Sequence, residues 1–181
     1  MNPGDPDPRQ LLERVIRVDQ AGEFGAVRIY EGQLAALRWT GRLNGSAGRK
    51  IAVMARSERE HQRTFDRLLA ERRVRPTALS PLWSLAGFAL GAATALMGEK
   101  AAMACTVAVE ETIEEHYATQ AAALGDDEAE LRTTIEKFRA EEIEHKDEAL
   151  ASGAEEAPGY RPLTAAIKAG SRLAIWLSTR I

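Results

Sequence analysis

Cysteine is nearly absent from this 181-residue chain, and a single cysteine, Cys105, cannot form a disulfide within the chain. Cysteine usage therefore does not point to an oxidising compartment. Because Cys105 lies in the apolar run A-C-T-V-A-V, we expect it to be a small, buried core residue. Excess positive charge is also missing: the formal net charge is −3 and the pI is about 5.7. This charge argues against nucleic acid as a partner.

Charged side chains are absent from one long stretch, Pro76 to Gly98. Its length permits a membrane span, but its prolines, glycines, serines and threonines favour a core or interfacial helix. The acidic, proline-rich start resembles neither a signal peptide nor an Arg-rich transit peptide. We expect residues 1–8 to be a disordered lead-in and residues 9–181 to form a single domain.

Apolar residues recur at helical spacing along the chain, and no alternating strand pattern is convincing, which predicts an all-α fold. Glycine and proline mark the ends of the helices, and Asp7 and Ser80 are candidate caps. The predicted helices cover about 9–39, 50–73, 80–98 and 99–124, then a fifth that Asp126 and Asp127 cap and that ends at Ser152, and a sixth from Pro162 onward.

Histidine is scarce, and two of the three histidines occur in the same motif, Glu-x-x-His. Glu58 and His61 form the first copy, and Glu142 and His145 form the second. In a helix, positions i and i+3 lie on one face, so the two side chains of each copy can hold one metal ion together. One copy in a Glu-rich helix arises easily by chance, whereas two copies predict a metal site.

Each of these two helices follows a helix with a candidate inward glutamate. Glu23 lies among apolar and small residues, and Gly22 and Gly25 on either side of it suggest close approach of another backbone or of a bound group. In the second half, Glu110 shares a helix face with Val107. That face favours Glu110 over its neighbour.

Two other glutamates of the run V-A-V-E-E-T-I-E-E compete with Glu110. Glu111 lies about 100° further round the helix, and Glu114 is a weaker rival one turn on. With Glu110, the pattern is that of ferritin-like carboxylate proteins with two iron or manganese ions. We predict a ferritin-like four-helix bundle with additional hydrophobic or interfacial helices. Its predicted metal ligands are Glu23, Glu58, His61, Glu110, Glu142 and His145.

The chemistry of this set suits two metal ions in a dry core. Four carboxylates nearly neutralise two divalent cations, and two imidazoles complete a nitrogen and oxygen set that suits iron or manganese. The third histidine, His116, lacks the glutamate of the motif. Two readings of it stay open: a surface histidine, or, together with Tyr117, a relay of electrons or protons near the metal site.

Several long segments resemble one known family, the demethoxyubiquinone hydroxylases of ubiquinone biosynthesis. The similar segments include V-D-Q-A-G-E-F-G-A-V-R-I-Y-E-G-Q, R-V-R-P-T, A-M-A-C-T-V-A-V-E-E and E-E-I-E-H, within about Leu11 to Ile181. The resemblance implies a monooxygenase with two iron ions that hydroxylates the ring of demethoxyubiquinone or demethoxyubiquinol. It uses O2 and reducing equivalents, with NADH as one source. The family's metal ligands fall on the six residues named above.

The isoprenoid tail of such a substrate implies contact with a membrane lipid surface. The last helix combines a Leu/Ile/Trp face with Lys168, Arg172 and Arg180, which suits an interfacial helix on anionic lipid; ordinary bundle packing is the alternative. We expect a peripheral protein on the cytoplasmic face of a bacterial plasma membrane, or on the matrix side of the mitochondrial inner membrane. Further expected partners are another ubiquinone-biosynthesis protein and a second copy of the chain in an oligomer.

The metal motif by itself is equally consistent with a second function. A ferritin-like protein could oxidise or bind iron without any organic substrate. The uncharged third helix and the basic sixth helix favour a lipid substrate over this alternative.

Overall fold

A computed structural model describes residues 7–181 of the protein, and most of this part is helical. No strand occurs between residues 7 and 181, which confirms the all-α prediction. Of the expected lead-in, residues 1–6 lie outside the described part, and Pro8 is already the first residue of a helix. The helices are α1 (Pro8–Trp39), α2 (Ser46–Arg72), α3 (Ser80–Met97), α4 (Glu99–Ala123), α5 (Ala129–Ala151) and α6 (Tyr160–Ser178).

Two helices begin earlier than glycine and proline had suggested. Helix α2 begins at Ser46, so Gly48 lies in its first turn and not in the preceding loop. Glycine is needed there because a Cβ at Gly48 would lie 2.1 Å from the Leu43 carbonyl oxygen. Helix α6 begins at Tyr160, after Gly159 has turned the chain with a φ of +69°. Pro162 therefore lies within the first turn of α6, where its missing N–H needs no partner.

Asp7 is the N-cap residue of α1 and Pro8 follows it, as predicted, although the Asp7 side chain makes no cap hydrogen bond. The prediction for Ser80 is wrong by one position, because Leu79 is the N-cap residue of α3, and the Ser80 hydroxyl donates to the Thr77 carbonyl at 2.9 Å. Asp126 and Asp127 also do not cap α5. They belong to a short 3-10 turn, Asp126–Glu128, and α5 starts after it.

The helices α1, α2, α4 and α5 form a ferritin-like bundle, in which α1 packs on α2 and α4 packs on α5. Large side chains such as Phe65 of α2, Leu37 of α1 and Ile135 of α5 are fully buried in it. Cys105 of α4 is also fully buried, as expected for a small core residue. The core closes around the polar side chains described below.

Helix α3 packs directly on the backbone of α1. A Cβ at Gly91 would lie 1.9 Å from the Ile29 carbonyl oxygen, and a Cβ at Gly32 would lie 2.1 Å from the Phe88 carbonyl oxygen. Glycine is therefore required on both sides of this contact. The opposite side of α3 is exposed and apolar, and α3 is the one helix within residues 7–181 whose length and composition would allow it to cross a membrane.

Candidate metal centre

The six predicted side chains lie in one cluster between α1, α2, α4 and α5. All four glutamates are fully buried, and both histidines are largely buried. They form two groups, and within each group the candidate ligand atoms lie within 4.8 Å of one another. One group is Glu23, Glu58, His61 and Glu142; the other is Glu58, Glu110, Glu142 and His145. Glu58 and Glu142 belong to both groups.

Each imidazole faces the glutamate of the other motif. His61 Nδ1 lies 3.1 Å from Glu142 Oε1, and His145 Nδ1 lies 2.9 Å from Glu58 Oε1. The distances from each Nδ1 to the glutamate of its own motif are longer, 3.8 Å for His61 and 3.5 Å for His145. Glu58 and Glu142 therefore lie between the two imidazoles, where each can contribute to both groups of candidate ligands.

The inner atoms of this cluster lack hydrogen-bond partners within residues 7–181. They are both carboxylate oxygens of Glu58 and Glu142, one oxygen each of Glu23 and Glu110, and Nδ1 of both histidines. Buried polar atoms are normally satisfied, so this convergence requires an explanation. Cations at this place would satisfy the oxygen and nitrogen atoms together, and the ligand types suit iron or manganese. The cluster can therefore hold metal.

Burial also changes the acidity of these groups. Desolvation, and then repulsion from Glu142, raises the pKa of Glu58 and of Glu110 well above its usual range. Desolvation by itself lowers the pKa of His61, but the neighbouring carboxylates of Glu142, Glu23 and Glu58 raise it to about 12. In the metal-free protein, protons thus supply charge balance that metal ions would otherwise supply.

We expect binding of a divalent metal to release protons and to weaken as the pH falls. Ligation requires ionised carboxylates and a neutral imidazole nitrogen. Because the pKa values of Glu58, Glu110 and His61 are raised, protons compete with metal more strongly at lower pH. Calorimetric titration of Mn²⁺ into the metal-free protein, in two buffers of different ionisation enthalpy, measures the protons released. Binding without proton release would contradict ligation by these groups, and Glu144→Gln, at an exposed position of α5, is the control.

The structure separates Glu110 from its two rivals on α4. Glu111 points to α6 and forms an ion pair with Lys168 at 2.7 Å. Glu114 points to α5, where it accepts hydrogen bonds from Arg139 and Lys146. Of the three, only Glu110 lies in the cluster, as its helix face had indicated.

Two buried tyrosines hydrogen-bond to Glu23 and Glu110, the two cluster glutamates outside the Glu-x-x-His motifs, and each tyrosine binds the glutamate of the other helix. The Tyr30 hydroxyl of α1 donates to Glu110 of α4, and the Tyr117 hydroxyl of α4 donates to Glu23 of α1. Each tyrosine follows the glutamate of its own helix by seven positions, which is about two helical turns. Sequence reasoning missed Tyr30, although this repeated Glu-to-Tyr spacing was visible.

Glu141 is a second residue that sequence reasoning missed. One of its oxygens lies 2.5 Å from His61 Nε2, so it can fix the ring with Nδ1 turned toward the cluster. The signal was the glutamate directly before the second Glu-x-x-His motif, but a surface position was equally compatible with it.

His116 does not reach the cluster. Its side chain is 22% exposed, and Nε2 lies 3.7 Å from Oδ1 of the buried Asp19. Burial lowers the pKa of His116 to about 4, so the imidazole is neutral at physiological pH. The relay role of His116 and Tyr117 stays a prediction, and Asp19, which the sequence did not single out, is the residue that His116 faces.

An apolar cavity of about 570 Å³ is lined by sequence neighbours of Glu23 and Glu110, although none of the six cluster side chains is among its lining residues. All of its lining residues belong to α1, α3, α4 and α6, so it lies away from the two histidine-bearing helices. Gly22 and Ala26, which flank Glu23, form one wall, and Val109 beside Glu110 forms part of another. A Cβ at Gly22 or Gly25 would meet no atom within 4 Å, so this glycine pair borders open space. Both parts of the prediction for this pair find support: α3 approaches the backbone at Gly25, where a Cβ at Gly87 would lie 2.9 Å from the Gly25 carbonyl oxygen, and the space beside Gly22 and Gly25 can admit a bound group.

Fold and site together define a ferritin-like helical bundle protein with a buried carboxylate and histidine centre and an apolar cavity. Residues 10–178 match the family described as Ubiquinone biosynthesis protein COQ7. The chain belongs to this family, which confirms the resemblance seen in the sequence.

Three relatives show how closely the chain follows the family. It is 58% identical over 179 residues to the 3-demethoxyubiquinol 3-hydroxylase of Rhodospirillum rubrum, covering 99% of this chain and 82% of that protein. It is 53% identical over 176 residues to the NADPH-dependent 3-demethoxyubiquinone 3-hydroxylase, mitochondrial, of Dictyostelium discoideum, covering 96% and 79%. The protein of the same name from Homo sapiens is 50% identical over 177 residues, with the same coverage.

Proposed function

We propose that this protein is a di-iron monooxygenase that hydroxylates the ring of a demethoxyubiquinone or demethoxyubiquinol in ubiquinone biosynthesis. The main support for the proposal is that a buried group of candidate metal ligands occurs together with an apolar cavity of a size suited to an organic ligand, whose walls include sequence neighbours of Glu23 and Glu110. The names of the Rhodospirillum rubrum and human relatives support the same substrate class.

In this proposal, Glu23 and His61 would hold one iron ion, and Glu110 and His145 would hold the other. Glu58 and Glu142 belong to both groups of candidate ligands and would contribute to holding both ions. The iron pair, when bound, supplies the activation of O2. The four carboxylates balance the charge of two divalent ions in a core that excludes water.

In this proposal, the ring binds in the cavity, which is lined by α1, α3, α4 and α6 and not by the two histidine-bearing helices. Its glycine wall at Gly22 and Gly25 lets a flat ring approach the Glu23 end closely, because no side chain stands there. Val109 and Ile113 close the α4 side with apolar atoms. An apolar isoprenoid tail can then follow the cavity toward Trp83 and Leu173, between α3 and α6.

The proposal includes a nicotinamide as the source of electrons. The resemblance implied NADH as one source, and the relatives from Dictyostelium discoideum and human are named NADPH-dependent. Both nicotinamides are therefore to be compared as reductants of the iron-loaded protein.

We also propose that the protein lies on a membrane surface through α3 and α6. Large apolar side chains are exposed on both helices, including Leu82 and Leu85 of α3 and Trp176 of α6. The Trp83 indole N–H donates to the Ser178 hydroxyl at 3.0 Å, which joins the two helices near the cavity. A tail could pass from the bilayer into the cavity at this apolar surface.

The cytoplasmic face of a bacterial plasma membrane is the proposed location. The mitochondrial inner membrane is the alternative, and the human and Dictyostelium discoideum relatives are named mitochondrial. A peripheral position is favoured over a span, because the glycine side of α3 is packed on α1. A second ubiquinone-biosynthesis protein that presents the quinone, and an oligomer of this chain, remain part of the proposal.

Vesicle sedimentation tests the membrane contact. The protein is expected to sediment with anionic vesicles, and Leu85→Glu with Trp176→Glu is expected to lower the bound fraction severalfold, because two exposed apolar contacts become charged. The control is Glu144→Ala, at an exposed position of α5, away from the proposed membrane surface of α3 and α6. Equal binding of the double variant would contradict this surface, and resistance to alkaline carbonate extraction would indicate a true span.

Turnover tests the proposed function. The protein is loaded with ferrous iron without oxygen, mixed with a short-chain demethoxyquinone and NADH or NADPH, and then exposed to O2. Mass spectrometry is expected to show the hydroxylated ring. Oxidation of iron without product, with a quinone shown to bind, would instead support the ferritin-like alternative.

A further inference from the structure

The two halves of the bundle repeat more than their metal ligands. Each of the helices α1 and α4 carries a glutamate, a tyrosine seven positions later and a glutamine three positions after that. All of these side chains are buried. The equivalent residues are Glu23, Tyr30 and Gln33 in α1, and Glu110, Tyr117 and Gln120 in α4.

Near this repeat, the two helices differ at two positions whose side chains lie close together in the structure. Four positions before the glutamate, α1 has Asp19 where α4 has Thr106. Six positions after the glutamate, α4 has His116 where α1 has Ile29. The two departures face each other, with His116 Nε2 at 3.7 Å from Asp19 Oδ1. The bundle is therefore asymmetric at one end of the metal cluster, through an acid and a base.

Asp19 is poorly explained as a structural residue. It is 2% exposed, and it accepts one hydrogen bond, from Gln120 Nε2 at 2.7 Å. Its Oδ2 atom has no hydrogen-bond partner among residues 7–181. Burial of an incompletely satisfied carboxyl group costs free energy, and Thr106 shows that the other half of the bundle needs no acid at this position.

The surroundings of Asp19 suit a carboxyl group that exchanges a proton. Burial, and to a lesser extent the charge of Glu23, raises its pKa well above the usual range, while the hydrogen bond from Gln120 opposes this. Besides His116, the ionisable groups that interact with Asp19 include Glu23 on its own helix and Tyr117 on α4. His116 is the member of the pair with partial access to solvent.

We propose that His116 and Asp19 form the proton entrance of the metal centre. His116 takes a proton from solvent and passes it from Nε2 to Asp19 Oδ1, and Asp19 passes a proton from Oδ2 to the Glu23 end of the cluster. A small rotation of the imidazole closes the 3.7 Å distance to hydrogen-bond length.

This inference rests on the proposed hydroxylation, which needs such a route. When a ring C–H becomes C–OH, one atom of O2 enters the ring and the other leaves as water. The reaction takes two electrons from the nicotinamide and two protons. Because the cluster is enclosed by four helices, those protons must cross the bundle, and His116 and Asp19 offer a polar route.

Asp19→Asn tests the entrance, with Thr106→Val at the equivalent position of α4 as its matched control. Asparagine keeps the shape and can still accept the bond from Gln120, but it cannot carry a proton. We expect both variants to bind as much iron as the wild type and to melt at the same temperature. Oxidation of the ferrous protein by O2 should be at least about 10-fold slower in Asp19→Asn only, with a larger solvent isotope effect.

His116→Ala supplies the second arm. Free imidazole should restore its rate, because the site of the missing ring is partly exposed, and should not restore the rate of Asp19→Asn. In metal-free protein, the imidazole nitrogen NMR signals of His116 should shift in Asp19→Asn and stay unchanged in Thr106→Val.

Three results would overturn the proposal. The first is a wild-type oxidation rate and isotope effect in Asp19→Asn, and the second is a lower iron content or a lower melting temperature of that variant. The third is a His116→Ala variant whose rate free imidazole does not restore. Iron oxidation needs no quinone. A wild-type protein that oxidises iron but yields no hydroxylated ring would therefore refute the proposed function and still test the proton entrance.

Discussion

Glu142→Ala is expected to leave less than one iron ion per chain and to lower quinone hydroxylation at least about 100-fold. Loss of a residue that merely supports a ligand costs about 10- to 100-fold, and Glu142 belongs to both groups of candidate ligands. Its removal also takes away the carboxylate that lies 3.1 Å from His61 Nδ1. Both metal positions therefore lose a ligand and a negative charge.

Iron analysis after anaerobic loading, followed by the turnover assay, measures this effect. The control is Glu144→Ala, which removes an exposed carboxylate two positions along the same helix and should leave iron and activity unchanged. A helical circular dichroism spectrum like that of the wild type separates loss of metal from loss of fold. Full activity with a normal iron count in Glu142→Ala would refute the assignment of this cluster.

Gly22→Leu is expected to abolish most quinone turnover while leaving iron binding intact. The added side chain would enter the cavity, because no atom lies within 4 Å of a Cβ at Gly22. The helix itself tolerates the change, since leucine is a better helix former than glycine. Glu23 is expected to keep its hydrogen bond from Tyr117, because Tyr117 is not one of the residues that line the cavity.

The assay for Gly22→Leu combines iron analysis with the Michaelis constant for a short-chain demethoxyquinone. We expect a rise of at least about 10-fold in that constant, or a loss of turnover, with two irons retained. Gly125→Leu is the control, because Gly125 also borders open space and does not line the cavity. Unchanged kinetics in Gly22→Leu would exclude this cavity as the binding site of the ring.

The sequence predicted the fold and the cluster because both depend on local patterns. Helical spacing marked the bundle, and the two Glu-x-x-His motifs placed their side chains on inward faces. The face argument also selected Glu110 over Glu111. The helix starts were less accurate, since Gly48 serves close packing within a helix although glycine commonly marks a loop.

The features that the sequence did not predict arise between helices. The hydrogen bond from Tyr30 to Glu110, and the approach of His116 to Asp19, join residues that are 80 and 97 positions apart. No local pattern specifies such pairs. The apolar cavity likewise depends on how α3 and α6 pack against α1 and α4. Comparison of the two halves of the chain could have indicated these residues, because repeats and their exceptions are visible in the sequence.

The most direct test of ring hydroxylation by an iron centre is turnover with isotopically heavy dioxygen. Wild-type protein loaded with two irons is mixed with a demethoxyquinone and NADPH, and the product is analysed by mass spectrometry. Hydroxylation at the iron centre is expected to leave one heavy oxygen atom in the product ring, in amounts that fall with iron content across wild type and Glu142→Ala. A product whose added oxygen comes from water, or heavy-oxygen product from protein without iron, would contradict it.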